Sequence, residues 1–99
     1  MIYLHDLLTA TGGRWEGPPT PVRFPSFCYD SRRIKPGDLF VAVKTEGGDG
    51  HDYIGDAVHK GAGGVLCQYP PAECAVPCVI VPDTHIALSE WAGYVLCRA

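Results

Sequence analysis

The chain has 99 residues, a formal charge of −3, and 46% hydrophobic and 10% aromatic side chains. That length suits one domain, which buries roughly two thirds of its unfolded surface, and the apolar side chains suffice for one core. The eight Lys and Arg form no basic run, so binding along a nucleic-acid backbone is not expected, and no apolar stretch approaches the ~18 residues of a membrane span.

Residues 2–11 set Leu4, Leu7 and Leu8 at helical spacing, with Gly12 and Gly13 following where a helix C-terminus favours a left-handed residue. The same stretch carries Asp6 and lacks the basic start of a signal peptide, so the expected compartment is the cytosol. Residues 16–25, EGPPTPVRFP, hold four prolines and predict a loop or extended linker. Strands are predicted over 26–30 and 38–43, separated by a turn at Pro36 and Gly37. The run LFVAV is apolar throughout, as in a strand covered on both faces.

Residues 45–50, TEGGDG, include three glycines, which let the backbone approach a ligand closely. A helix over 52–60 follows, with Ile54, Ala57 and Val58 inward and Gly61 at its end. Two further buried strands are expected at 64–67 and 78–81, with Pro70, Pro71 and Pro77 keeping the intervening segment irregular. The last helix starts at Asp83 or Thr84 and carries the stripe Leu88, Trp91, Ala92 and Val95. This order predicts a small single α/β domain over 1–99, with helices packed on a mostly buried sheet of about four to five strands.

Five cysteines without a Cys-x-x-Cys spacing suit neither a zinc site nor a disulfide framework, and Cys28, Cys67 and Cys78 read as buried free thiols. A thiol redox pair at Cys74 and Cys78 lacks the helix N-terminus that lowers a thiol pKa. His51 and His59, eight residues apart on the predicted helix, stand roughly 12 Å apart along its axis and cannot share one ion, so no metal site is expected. Asp49 or Asp52 is expected to cap that helix, with His51 packed beside it. No Gly-Lys dipeptide occurs, so the chain has no phosphate-binding P-loop.

The remaining candidates are the polar turn YDSRRIK at 29–35 and the glycine-rich loop. Locally, Asp30 reads as a turn residue that accepts backbone N–H groups or pairs with Arg32 or Arg33, and Ser31 as a solvated turn hydroxyl. Alternatively, Ser31 and Arg32 present a hydroxyl and a guanidinium to an anion or a planar base.

Asp30-Ser31-Arg32, Ile34, the run PGDLFVA at 36–42, DGHDYI at 49–54, Gly61-Ala62 and Val65-Leu66 together resemble the N-terminal domain of the Mur ligases. The similarity continues through 79–81, Asp83-Thr84, Ala87-Leu88 and Ala92, and DLLTATGG at 6–13 resembles the branch that adds D-alanyl-D-alanine.

The resemblance implies a domain that holds the UDP end of a UDP-MurNAc-peptide. Tyr29, Ser31, Arg32, Glu46, Gly47 and Gly48 would surround uracil and ribose, and Asp30, Asp49, Gly50 and His51 would shape the turns beside them. It implies that central ATP-binding and C-terminal domains belong to a longer chain, that ATP and Mg²⁺ act there, and that this stretch alone is inactive, with no catalytic residue and no cofactor of its own. Two other readings stay open: the ligase branch adding the third amino acid, diaminopimelate or lysine, and a non-catalytic α/β domain that senses a nucleotide or anion. Thr45 departs from the glycine usual in the family, which places the contacts of Glu46 and Gly47 in question.

Overall fold

The computed structural model describes residues 2–18, 22–71 and 75–98, and the side chains of all of these but 45 and 94–98. In chain order the elements are β1 (Ile2–Tyr3), α1 (Leu4–Thr11), β2 (Arg14–Glu16), β3 (Arg23–Phe24), β4 (Phe27–Cys28), β5 (Leu39–Val41), β6 (Lys44–Thr45), β7 (Gly48–Asp49), α2 (Ile54–His59), β8 (Gly64–Cys67), β9 (Cys78–Ile80) and α3 (Thr84–Arg98). Short 3₁₀ turns occupy Ser31–Arg33 and Gly50–Tyr53.

The central sheet has the order β2-β9-β8-β5-β4. Strands β4, β5, β8 and β9 run parallel, and β2 pairs antiparallel with β9 at one edge. Alternating side chains send Leu39, Val41, Leu66, Val79 and Val81 into one core and Phe40, Val65, Cys67, Cys78 and Ile80 into the other. The first core is closed by Leu4 and Leu7 of α1 and by Ala87, Leu88 and Trp91 of α3. Ile54, Ala57 and Val58 of α2 close the second, together with Ile34. Both faces being covered explains why β5, β8 and β9 read as unbroken apolar runs. Among the described residues no helix is long and apolar enough to cross a membrane.

The proline-rich stretch corrects the sequence reading at both ends. Arg14–Glu16 form the antiparallel edge strand, and Arg23–Phe24 pair with Ile2–Tyr3, which the helical periodicity had absorbed into the first helix. Phe24 is fully buried. Its ring rests on Gly64, where a Cβ would stand 2.6 Å from Phe24 Cε1.

The helix expected over 52–60 starts instead as the 3₁₀ turn at Gly50, because Asp49 rather than Asp52 caps it; the α-helical part is only Ile54–His59. Asp83 Oδ1 caps α3 by accepting from the backbone N–H groups of His85 (2.8 Å) and Ile86 (3.1 Å). Leu88 and Trp91 pack on the core as expected, whereas Ala92 faces solvent and the side chain of Val95 lies outside the described ones. Cys67 and Cys78 are buried and Cys28 is half-buried; Cys74 lies outside the described residues. Thr45 fits as an extended residue of β6, since only glycines have positive φ among the described residues.

Candidate functional site

A cavity of about 730 Å³ opens beyond the carboxyl ends of the parallel strands, the usual place for ligands in open α/β sheets. Tyr29, Asp30, Ser31 and Arg32 enter it directly after β4. Val43, Gly47, Gly48, Gly50 and Tyr53 enter from the segment after β5, and His85 and Leu88 from α3.

On the β4 side, Asp30 organises the wall. Its Oδ1 accepts from the backbone N–H of Arg32 at 3.0 Å, and its two oxygens accept from Arg32 Nε and Nη2, each at 3.1 Å. These bonds, the side-chain pair first, hold its carboxyl below the ordinary carboxylate range. The guanidinium edge formed by Nε and Nη2 therefore faces Asp30, and Arg32 presents its remaining edge and its planar face. The Ser31 residue is 6% exposed, so the expectation of a solvated turn serine is wrong. Its hydroxyl interacts with the carboxylate of Asp56, which also pairs with Lys60 at 3.2 Å.

On the opposite side, β6 and β7 form a hairpin with Lys44 opposite Asp49 and Thr45 opposite Gly48. Gly50 is pressed against the end of β5: its N–H donates to Val43 O at 2.8 Å, and a Cβ there would stand 2.6 Å from Val43 N. Only glycine fits so close an approach between two backbones. Asp49 Oδ1 accepts from His51 N (3.0 Å) and from His51 Nδ1 (2.6 Å), while Oδ2 accepts from the Tyr69 hydroxyl at 2.6 Å. Led by the bond from Tyr69, these contacts push the Asp49 carboxyl far below its ordinary value, and the same bond raises the Tyr69 phenol.

Of the expected site residues, Tyr29, Asp30, Ser31, Arg32, Gly47, Gly48 and Gly50 meet at the cavity. Glu46, Asp49 and His51 do not line it; the last two act from behind the wall. Val43, Tyr53, His85 and Leu88 were missed. Tyr53 lies inside the stretch DGHDYI, and its exposure (54%) next to a capped turn marks it in hindsight. His85 and Leu88 carry no local signal, because α3 reaches the cavity only through the fold.

Residues 26–94 match the family described as Mur ligase family, catalytic domain. The chain belongs to the Mur ligase family. It is 42% identical over 94 residues to UDP-N-acetylmuramoyl-tripeptide–D-alanyl-D-alanine ligase of Escherichia coli, covering 95% of this chain and 20% of that one. It is 39% identical over 92 residues to UDP-N-acetylmuramoyl-L-alanyl-D-glutamate–2,6-diaminopimelate ligase of Chlorobaculum tepidum, covering 88% and 18%. A crystal structure of MurF from Acinetobacter baumannii superposes with a TM-score of 0.85 at 28% identity, over 94% of this chain and 20% of that one.

This Mur ligase chain thus spans about a fifth of the length of these relatives. It contains no Gly-Lys phosphate loop, and the described residues include no group of three His, Cys, Asp or Glu able to hold a metal ion.

Proposed function

We propose that this chain holds the uridine diphosphate end of a UDP-MurNAc-peptide, as part of an ATP-dependent amide ligase of peptidoglycan synthesis that adds D-alanyl-D-alanine. The observation that carries the reading is the convergence of residues 29–32 with Gly47, Gly48 and Gly50 on one cavity. Val43 and Leu88 offer it apolar surface, Tyr29 and Tyr53 supply aromatic faces for a planar base, and the bare backbone at Gly47 and Gly48 lets base or ribose edges approach. Arg32, held by Asp30 along one edge, offers its planar face and its remaining N–H groups to the ligand. ATP and Mg²⁺ act in other domains of a longer chain in the cytoplasm, and these 99 residues alone are inactive.

Titration with UDP-MurNAc-tripeptide, followed by amide NMR, tests this. Shifts concentrated at 29–32, 47–50 and 85 are expected, and a spectrum unchanged at millimolar ligand overturns it. The D-alanyl-D-alanine step is supported by 42% identity over nearly the whole chain and by the MurF superposition. The matches to diaminopimelate ligases favour the third-residue step as the second reading. Assaying the longer parent enzyme with each amine decides between them: turnover with diaminopimelate on the UDP-MurNAc-dipeptide, and none with D-alanyl-D-alanine, selects the second.

A further inference from the structure

The hydrogen bonds behind the cavity close on themselves. From the hairpin, Asp49 accepts from His51 Nδ1 at 2.6 Å, and His51 Nε2 accepts from the backbone N–H of Gln68, just beyond β8, at 2.9 Å. Gln68 Oε1 accepts from the backbone N–H of Thr84 at 3.2 Å and from its hydroxyl at 3.4 Å. The next residue, His85, sets its Nε2 3.2 Å from the carbonyl of Lys44, which is back in the hairpin opposite Asp49.

A backbone N–H only donates, so the His51 proton sits on Nδ1 and points at Asp49. The Lys44 carbonyl only accepts, so the His85 proton sits on Nε2. The His51 side chain is 3% exposed, and Tyr69 stacks over it at 4.0 Å between ring centroids while donating to Asp49. The ring of bonds joins the two cavity walls that are far apart in sequence, the glycine hairpin and the start of α3.

We propose that His51 and Gln68 are positioning residues that lock these two walls at a fixed separation, so that the cavity is preformed for its ligand. The ligand half of this statement rests on the UDP reading above; the mechanical half does not. Neither residue lines the cavity, so each acts through the groups it holds.

The discriminating variant is Gln68→Ala, which cuts the ring on the α3 side and leaves Asp49 and His51 intact. Amide hydrogen exchange is read on the 99-residue chain without ligand. If Gln68 only caps Thr84, faster exchange stays at Thr84, and the proposal is overturned. The ring instead requires that exchange at Gly50 and His51, which Gln68 Oε1 does not touch, also quicken by about threefold or more beyond any change shared by the core amides of β5 and β8.

Tyr69→Phe, which keeps the stacked ring and loses the bond to Asp49, is expected to speed the same two amides about tenfold, the effect of one charge-assisted hydrogen bond. A long-range ¹H–¹⁵N spectrum showing His51 protonated at Nε2 would also refute the proposal. With UDP as the probe, Gln68→Ala should bind about threefold more weakly than wild type through lost preorganisation; equal affinity overturns the positioning role. Failure of the wild type to bind UDP removes the substrate reading alone, and the exchange data still decide whether the walls are coupled.

Discussion

The turns that begin at Asp30 and Asp49 share their backbone geometry. The two aspartates sit at φ −119°, ψ 111° and φ −111°, ψ 116°, and each accepts from the N–H two residues on at 3.0 Å. In the first, the third residue is Arg32, whose side chain is 84% exposed and turns back on the same aspartate. In the second it is His51, buried, and it reaches a strand end 17 residues away. The local spacing of aspartate and partner builds the same turn twice. Whether that turn is a surface corner or a fastening of the fold depends on where the third side chain lands.

The largest test of this contrast is His51→Ala. It removes a buried ring and leaves the Gln68 N–H without its acceptor, so a loss of about 3 kcal/mol is expected in urea unfolding. The middle position comes next. Gly50→Ala drives a methyl into the Val43 backbone and should cost about 2 kcal/mol, whereas Ser31→Ala gives up only a hydroxyl interaction with Asp56, about 1 kcal/mol. Equal losses at 31 and 50 would mean that the two turns are supported alike, against the geometry.

The contrast also marks what the sequence can show. Strands β5, β8 and β9 were legible because burial on both faces leaves an unbroken apolar run, and the glycine loop and the DSR turn were legible as polar punctuation. Phe24 was hidden among prolines, since composition speaks of backbone freedom and not of where one aromatic ring is sheltered. Leu4, Leu7 and Leu8 gave the helix, but nothing local distinguished Ile2 and Tyr3 from its first turn. Asp49 and His51 could be read as a cap and its neighbour, but Gln68, Tyr69 and Thr84 enter only when β8 and α3 are packed. Long-range partners leave no spacing rule in one sequence, which is why Glu46 was expected at the cavity and His85 was not.

Acid sharpens the comparison further. The Asp30 and Asp49 carboxyls are both depressed in the folded chain, Asp49 to the greater depth. Their stabilising contributions are therefore whole above the unfolded-state value of about 3.9 and are lost as pH falls through it toward the folded values. Carboxyl chemical shifts followed by NMR should show Asp30 protonating at higher pH than Asp49, and Tyr69→Phe should raise the Asp49 midpoint without moving that of Asp30. At the alkaline end the sign reverses for Tyr69: its raised phenol contributes below about pH 10 and that contribution is lost as pH climbs through the folded value.

Arg32→Ala is the smallest perturbation to stability. The guanidinium is exposed, its partner aspartate keeps the backbone bond to residue 32, and solvent-exposed ion pairs contribute little. The urea midpoint should stay where it is while the Asp30 carboxyl rises toward its ordinary range, because its foremost partner has gone. A fall in stability comparable to that of His51→Ala would show Arg32 to be a structural fastening after all. An unchanged midpoint together with weaker UDP binding would instead separate the two turns by task, one presenting charge to the cavity and the other holding the cavity's shape.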